Sequence, residues 1–282
     1  MTAAHLWSRR DTARLLRVPN VLDDKYSRGV VGFRTCSARY PGAAVLGVEG
    51  AWRSGAGLVR YLGDEATRAL VLARRPETVI TAGRVGTWVV GSGTDATHRT
   101  PSEAEQLREI LAGGIPVVVD AGALDLAPAA QAPMIVTPHA GEFARLRVAL
   151  GLAEAPDVIS LLPRADRIVL VAEAASALGA TVLLKGAETI IATSERTVFI
   201  VESRSSWLAT AGTGDVLAGM TGALISANPG ATLAEAAAAA AWLHSEAAAL
   251  AAGVRDGVPG HPIVALDVAE AVPAVVGEVL AQ

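Results

Sequence analysis

Short β-rich runs alternate with longer helical stretches from about residue 42 to the C-terminus, and this alternation leaves the chain few possible folds. Residues 58–62, 87–90, 116–120, 134–136, 181–184, 189–192 and 197–200 read as strands. Residues 42–53, 102–112, 140–150, 160–178, 214–226, 232–251 and 266–280 can form helices. Parallel neighbours need a crossover, usually a helix, so the pattern predicts an α/β fold with a mainly parallel central sheet and helices on both faces. The closely spaced runs 189–192 and 197–200, joined by Thr193-Ser194-Glu195-Arg196, predict an antiparallel hairpin late in that sheet. Residues 1–24 are polar and Arg-rich and read as a weakly ordered lead-in with one short helix; residues 25–282 read as a single domain.

Composition narrows the classes of function. Hydrophobic residues make up 51% of the 282 and aromatics only 4%; much of the apolar content is alanine, which suits close helix packing. No run reaches the roughly 18 strongly apolar residues of a membrane span, and the N-terminus lacks the apolar core of an export signal, so a cytoplasmic protein is expected. A net charge of −4 argues against a nucleic-acid partner. The single cysteine, Cys36, excludes an internal disulfide and a cysteine-based zinc site, and reads as a small buried residue.

In open parallel sheets, ligands sit at the carboxyl ends of the strands. Four loops should meet there: Gly91-Ser92-Gly93-Thr94-Asp95, Asp120-Ala121-Gly122, Thr137-Pro138-His139-Ala140-Gly141-Glu142 and Lys185-Gly186-Ala187-Glu188-Thr189. A fifth segment, Ala211-Gly212-Thr213-Gly214-Asp215, opens a helix. Two glycines let the backbone turn with its N–H groups pointing one way, and the helix dipole adds positive potential, so the turn favours an anion. A carboxylate at its rim either occupies a first helical turn, where acids are common, or takes a proton from a hydroxyl about to receive a phosphoryl group.

These residues, in this order, resemble the ADP-dependent NAD(P)H-hydrate dehydratases of the ribokinase-like superfamily. The resemblance is carried by Lys25-Tyr26-Ser27-Arg28-Gly29, Tyr40-Pro41-Gly42-Ala43-Ala44-Val45-Leu46, Gly55-Ala56-Gly57-Leu58-Val59, Val117-Val118-Val119-Asp120-Ala121 and the 137–142, 184–189 and 211–215 segments. The Gly-Thr-Gly-Asp turn indicates the superfamily; Tyr-Pro-Gly-Ala-Ala and Thr-Pro-His-Ala-Gly-Glu narrow it.

The resemblance implies a ribokinase-like three-layer sandwich and the ADP-dependent dehydration of (6S)-NADHX or NADPHX to NADH or NADPH, releasing AMP and phosphate. It implies Asp215 as base or orienter of the hydroxyl, with the amides of Gly212, Thr213 and Gly214 holding the phosphoryl group. Lys185, Gly186, Ala187, Glu188, Thr189 and Gly214 would bind ADP or AMP; Ala43, Ala44, Gly91, Gly93, His139 and Asp215 would bind the hydrate. Read without the resemblance, Lys185-Gly186 is an exposed turn, His139 a capping residue, and Ala43 and Ala44 tight packing. Glu142 is either a helix cap or an indirect support for metal and phosphate, and Asp120 either a ligand contact or a structural hydrogen bond. Magnesium is expected with ADP although no ligand cluster is visible, as are a homotetramer and a separate epimerase.

The chain departs from the family pattern at Thr35-Cys36-Ser37, where Ala-Gly-Ser is usual, and at Gly91-Ser92-Gly93-Thr94-Asp95, where Gly-Pro-Gly-Leu-Gly is usual. Two other readings stay open: another ribokinase-like kinase acting on a vitamin precursor, and a catalytically silent nucleotide-binding protein.

Overall fold

The computed structural model describes residues 4–156 and 159–281. Its strands are β1 (Ala4–Leu6), β2 (Val30–Arg34), β3 (Leu58–Tyr61), β4 (Thr87–Val90), β5 (Val117–Val119), β6 (Met134–Val136), β7 (Thr181–Leu184), β8 (Glu188–Ala192) and β9 (Val198–Glu202). They form one sheet in the order β1-β9-β8-β7-β6-β5-β4-β2-β3. Every pairing is parallel except those of β8, which runs against both its neighbours. The late hairpin expected from the sequence is β8–β9, with five residue pairs in register.

The helices are α1 (Arg9–Ala13), α2 (Gly42–Arg53), α3 (Glu65–Arg74), α4 (Pro101–Leu111), α5 (Ala140–Ala149), α6 (Arg164–Leu178), α7 (Thr213–Ala227), α8 (Leu233–Ala251) and α9 (Ala265–Leu280). Side chains of a strand point alternately to its two faces, and the core divides accordingly. Val118, Ile135, Leu183 and Ile191 join α2, α7, α8 and α9 on one face. Val117, Val119, Val182, Leu184 and Ile190 join Leu107 and Leu111 of α4, Phe143 and Leu146 of α5 and Val171 of α6 on the other. The strands are apolar on both sides, as a sheet buried between helix layers requires.

Small residues decide how closely the first of these layers packs. A side chain on Gly219 of α7 would overlap the main-chain carbonyl of Gly47 on α2, and one on Gly50 would overlap that of Val216. The two helices therefore meet backbone to backbone, which fixes their N-termini side by side at the carboxyl end of the sheet.

Three elements were not legible in the sequence. β2 carries Gly32 at its centre, whose missing side-chain space is filled by the Trp88 ring, and this interrupts the apolar run. α3 buries only Thr67 and Val71 along its length and so shows almost no apolar stripe. The weakly ordered lead-in needs correction for its described part. It has the expected short helix, α1, but Ala4–Leu6 also pairs in parallel with β9, and Trp7, Asp11 and Thr12 are buried. Trp7 stacks edge-on against Phe199 and donates from Nε1 to the Thr12 hydroxyl, a long-range packing that local polarity concealed. Residues 1–3 of that segment lie outside the described residues.

Candidate active site

Gly212 makes the turn at the head of α7. Its φ is +89°, a left-handed conformation that disfavours any side chain, and a Cβ there would come within 2.5 Å of Leu46. The Thr213 hydroxyl donates back to the carbonyls of Leu208 and Thr210, tying the turn to the segment before it. Main-chain N–H groups of Gly212, Gly214 and Asp215 find no main-chain acceptor among the described residues. They are free donors at the positive end of a 15-residue helix.

Beside this turn lies a network built from the four expected loops. Asp120, fully buried after β5, accepts from Lys185 Nζ at 2.8 Å, from the Thr137 hydroxyl at 2.7 Å and from the Ser92 hydroxyl at 2.9 Å. The Lys185 ammonium also stands 3.9 Å from Glu142 and reaches the α7 turn, where a Cβ on Gly214 would lie 3.4 Å from it. Lys185 is tethered through its own N–H, which donates to the Pro138 carbonyl. All four loops predicted to meet at one rim do so.

The electrostatics separate the two aspartates. Burial by itself would push the Asp120 carboxyl up, but the Lys185 charge and the hydrogen bonds from Lys185, Thr137 and Ser92 outweigh it and hold the group below its ordinary range. Burial likewise disfavours the Lys185 ammonium, and Asp120 and Glu142 more than restore it, so this pair stays ionised. Asp215 has no such cation of its own. Burial first, then the charge of Asp120, raise it to about 7, against the smaller lowering effects of Lys185 and Ser92. Two carboxyl groups with pKa values pushed apart are the usual mark of divided roles: here a permanent anion and a group able to take a proton near neutrality.

Other expected residues fall in different places. Lys185, Gly186, Ala187, Thr189 and Gly214 line one cavity of about 390 Å³, as a nucleotide site would require. Glu188 is not part of that lining; its carboxylate is held by Arg164 and Arg167 on α6. His139 caps α5, with Nδ1 accepting from the N–H groups of Gly141 and Glu142 while Glu142 accepts from the His139 N–H. That leaves Nε2 as the ring edge able to reach a ligand, 3.4 Å from Glu142. Gly93 lies against Ala43, where a Cβ would come within 2.5 Å of the alanine's, and Gly91 is packed against the main chain of Asp120. Ala44 is wholly buried in the helix layer. A second hollow, of about 670 Å³, includes Tyr40, Gly93, Glu142 and Arg145.

Both departures from the family pattern acquire a structural meaning. Cys36 has a φ of +85°, so a side chain occupies a backbone conformation suited to glycine. Its thiol donates to the Tyr40 carbonyl at 2.9 Å, and burial pushes its pKa up, which leaves it a poor nucleophile. Ser92 supplies the hydroxyl on Asp120, a contact proline cannot make. Sequence reading missed two members of the site, Thr137 as a partner of Asp120 and His244 in the cavity wall. Thr137 could have been read from its position at the end of β6; His244, over 50 residues from Lys185 and inside an alanine-rich helix, gave no local signal. Among the described residues no group of three or more His, Cys, Asp or Glu is placed to hold a metal ion.

The NAD(P)H-hydrate dehydratase family model matches residues 35–261. A bifunctional NAD(P)H-hydrate repair enzyme of Mycobacterium leprae is 44% identical over 256 residues, covering 86% of this chain and 50% of that protein. An ADP-dependent (S)-NAD(P)H-hydrate dehydratase of Neisseria meningitidis is 36% identical, covering 75% of this chain and 73% of that one. The chain thus spans about half the length of the bifunctional relatives it matches. Among solved structures, an ADP/ATP-dependent NAD(P)H-hydrate dehydratase of Bacillus subtilis, co-crystallised with ATP and Mg2+, superposes with a TM-score of 0.81 at 25% identity, covering 99% of this chain and all of the other. The ribokinase-like three-layer sandwich expected from the sequence is the fold observed.

Proposed function

Because this chain belongs to the NAD(P)H-hydrate dehydratase family, we propose that it removes water from hydrated NADH or NADPH, using ADP as phosphoryl donor. The observation that carries this reading is Asp215 in the first turn of α7, its pKa raised to about 7, with main-chain N–H groups of that turn free of main-chain acceptors among the described residues and the Lys185–Asp120 pair beside it.

The chemistry follows from what each group can do. Hydroxide leaves a carbon poorly, and a phosphate ester leaves well. Asp215 accepts the proton of the ring hydroxyl as its oxygen bonds to the terminal phosphorus of ADP, and AMP departs. The amides of Gly212 and Gly214 and the Lys185 ammonium stabilise the negative charge on the transferred oxygens. The ring nitrogen's lone pair then expels phosphate from the adjacent carbon, and loss of a proton from the next carbon restores the double bond. The balance is hydrate plus ADP giving reduced nicotinamide, AMP, phosphate and a proton.

The 390 Å³ cavity suits the nucleotide, since it carries Lys185, Gly186, Ala187, Thr189 and Gly214. The hollow with Gly93 and Glu142 suits the hydrate; His139 is outside its lining and would contact the hydrate through Nε2, which stands 3.4 Å from Glu142. Magnesium would be supplied with the nucleotide as the counter-ion of its phosphates. A cytoplasmic homotetramer belongs to the same reading, and light scattering on the purified chain tests its size.

Purified NADH hydrate supplied with MgADP should regain the near-ultraviolet absorbance of the reduced ring, with one AMP and one phosphate formed per turnover. Phosphorylation of a vitamin-precursor alcohol without recovery of that absorbance would replace this reading by a kinase. Nucleotide binding without either reaction would leave a silent binding protein.

A further inference from the structure

The cavity lined by Lys185, Gly186 and Gly214 takes part of its wall from α8, whose buried face is almost wholly alanine: Ala236–Ala241 and Ala247–Ala249 are all enclosed. His244 interrupts that face. It is 7% exposed, it lines the cavity, and its Nε2 is enclosed with no hydrogen-bond partner among the described residues. Buried polar atoms are almost always paired, and a buried imidazole nitrogen left without a partner calls for an explanation.

The chemistry of the ring says what kind of partner it would suit. Burial drives its pKa down to about 4, helped slightly by the Lys185 charge and opposed by a hydrogen bond with the Thr213 main chain, so at neutral pH it is uncharged. A neutral imidazole offers one donor and one acceptor and adds no charge to attract phosphate. The phosphates have Lys185 and the free amides of the α7 turn. What remains of a nucleotide is its sugar and base, rich in neutral donors and acceptors. Which ring edge faces the cavity depends on rotation about the Cβ–Cγ bond, and a ligand offering a partner selects the orientation that presents a nitrogen.

We propose that His244 is a nucleoside-binding residue, its imidazole hydrogen-bonding the sugar–base portion of the nucleoside diphosphate whose phosphates reach Lys185 and the turn at Gly212–Asp215. This rests on the nucleotide reading of the cavity. It assigns the donor's nucleoside end to α8, an element that contributes none of the expected site residues.

The test is calorimetry with AMP and with inorganic pyrophosphate, which lacks the nucleoside. The parent, His244→Ala and His244→Leu are compared, the leucine keeping α8 packed if the alanine variant fails to fold. AMP affinity should fall about tenfold in the variants, while pyrophosphate affinity stays within about twofold. With NADH hydrate, KM for ADP should rise with kcat at saturating ADP nearly unchanged. In the parent, ¹⁵N-histidine spectra should show AMP shifting the ring nitrogens of His244 and leaving those of His5 and His261 in place. AMP affinity within about twofold of the parent in a folded variant overturns the proposal. So does an unchanged AMP affinity with reduced kcat, which would make the ring a support of the α7 turn. If the parent itself binds pyrophosphate but not AMP, the nucleotide reading fails and this inference with it.

Discussion

Asp215 and Asp120 are both carboxylic acids at the same rim, and their surroundings give them opposite characters. Asp120 has three hydrogen-bond donors, one of them Lys185; Asp215 has burial and a neighbouring negative charge. Asp215→Asn keeps the shape and removes the proton acceptor, so turnover should fall about a thousandfold while AMP binding changes little, measured by coupled assay and calorimetry. For the parent, kcat/KM should rise with pH and level off above about 7, as Asp215 loses its proton. Stability runs the other way. Between about pH 4, where the unfolded group titrates, and about pH 7, the folded protein keeps a proton that the unfolded chain has lost. The stability associated with this group is therefore present below that window and declines as pH rises through it. At pH above 7 the asparagine variant should accordingly be more stable than the parent, by about 1–3 kcal/mol in denaturant titration. Cys36 is the other residue whose environment the sequence could not show. With φ at +85°, Cys36→Val should cost about 2 kcal/mol or more despite its similar size, whereas Cys36→Gly should stay within about 1 kcal/mol of the parent. Equal losses in both variants would mean that burial and the Tyr40 contact matter more than the backbone.

Among the elements, α2 and α7 matter most to the site, because their backbone contact sets the Tyr-Pro-Gly-Ala-Ala turn beside Gly-Thr-Gly-Asp. Gly219→Ala puts a methyl group where the Gly47 carbonyl stands, so the helices must separate. The expected loss is about 3 kcal/mol in stability, together with a fall in kcat although Gly219 touches no ligand. Helix starts were largely legible because their chemistry is local. Thr100 and Thr232 each form capping boxes with Glu103 and Glu235, and His139 with Glu142 follows the same reciprocal pattern. The same locality explains what stayed hidden. β2 is a strand because Trp88 fills the space over Gly32, and β1 is one because β9 offers it an edge; neither cause is written near the residues concerned.

For the molecule as a whole, two cores on opposite faces of one sheet hold the strand ends rigid, and the site is carried on loops at a single edge. On the proposed MgADP-dependent reaction, EDTA should abolish turnover through loss of MgADP while leaving the melting temperature unchanged. If the cavity takes the nucleotide as proposed, AMP should raise the melting temperature in proportion to the logarithm of its concentration above its Kd, as a ligand of the folded chain alone does. Most of the strand–helix alternation, though not β1, β2 or α3, and the turn able to receive an anion were legible in the sequence itself, because periodicity, capping and glycine geometry act over a few positions. Tertiary structure alone decided that Asp120 pairs with Lys185, 65 residues away, that Asp215 is thereby left to titrate near neutrality, that Glu188 is claimed by two arginines, and that His244 faces the cavity. Those outcomes depend on desolvation and on charges brought together across the sheet, and both come into being only when distant segments pack.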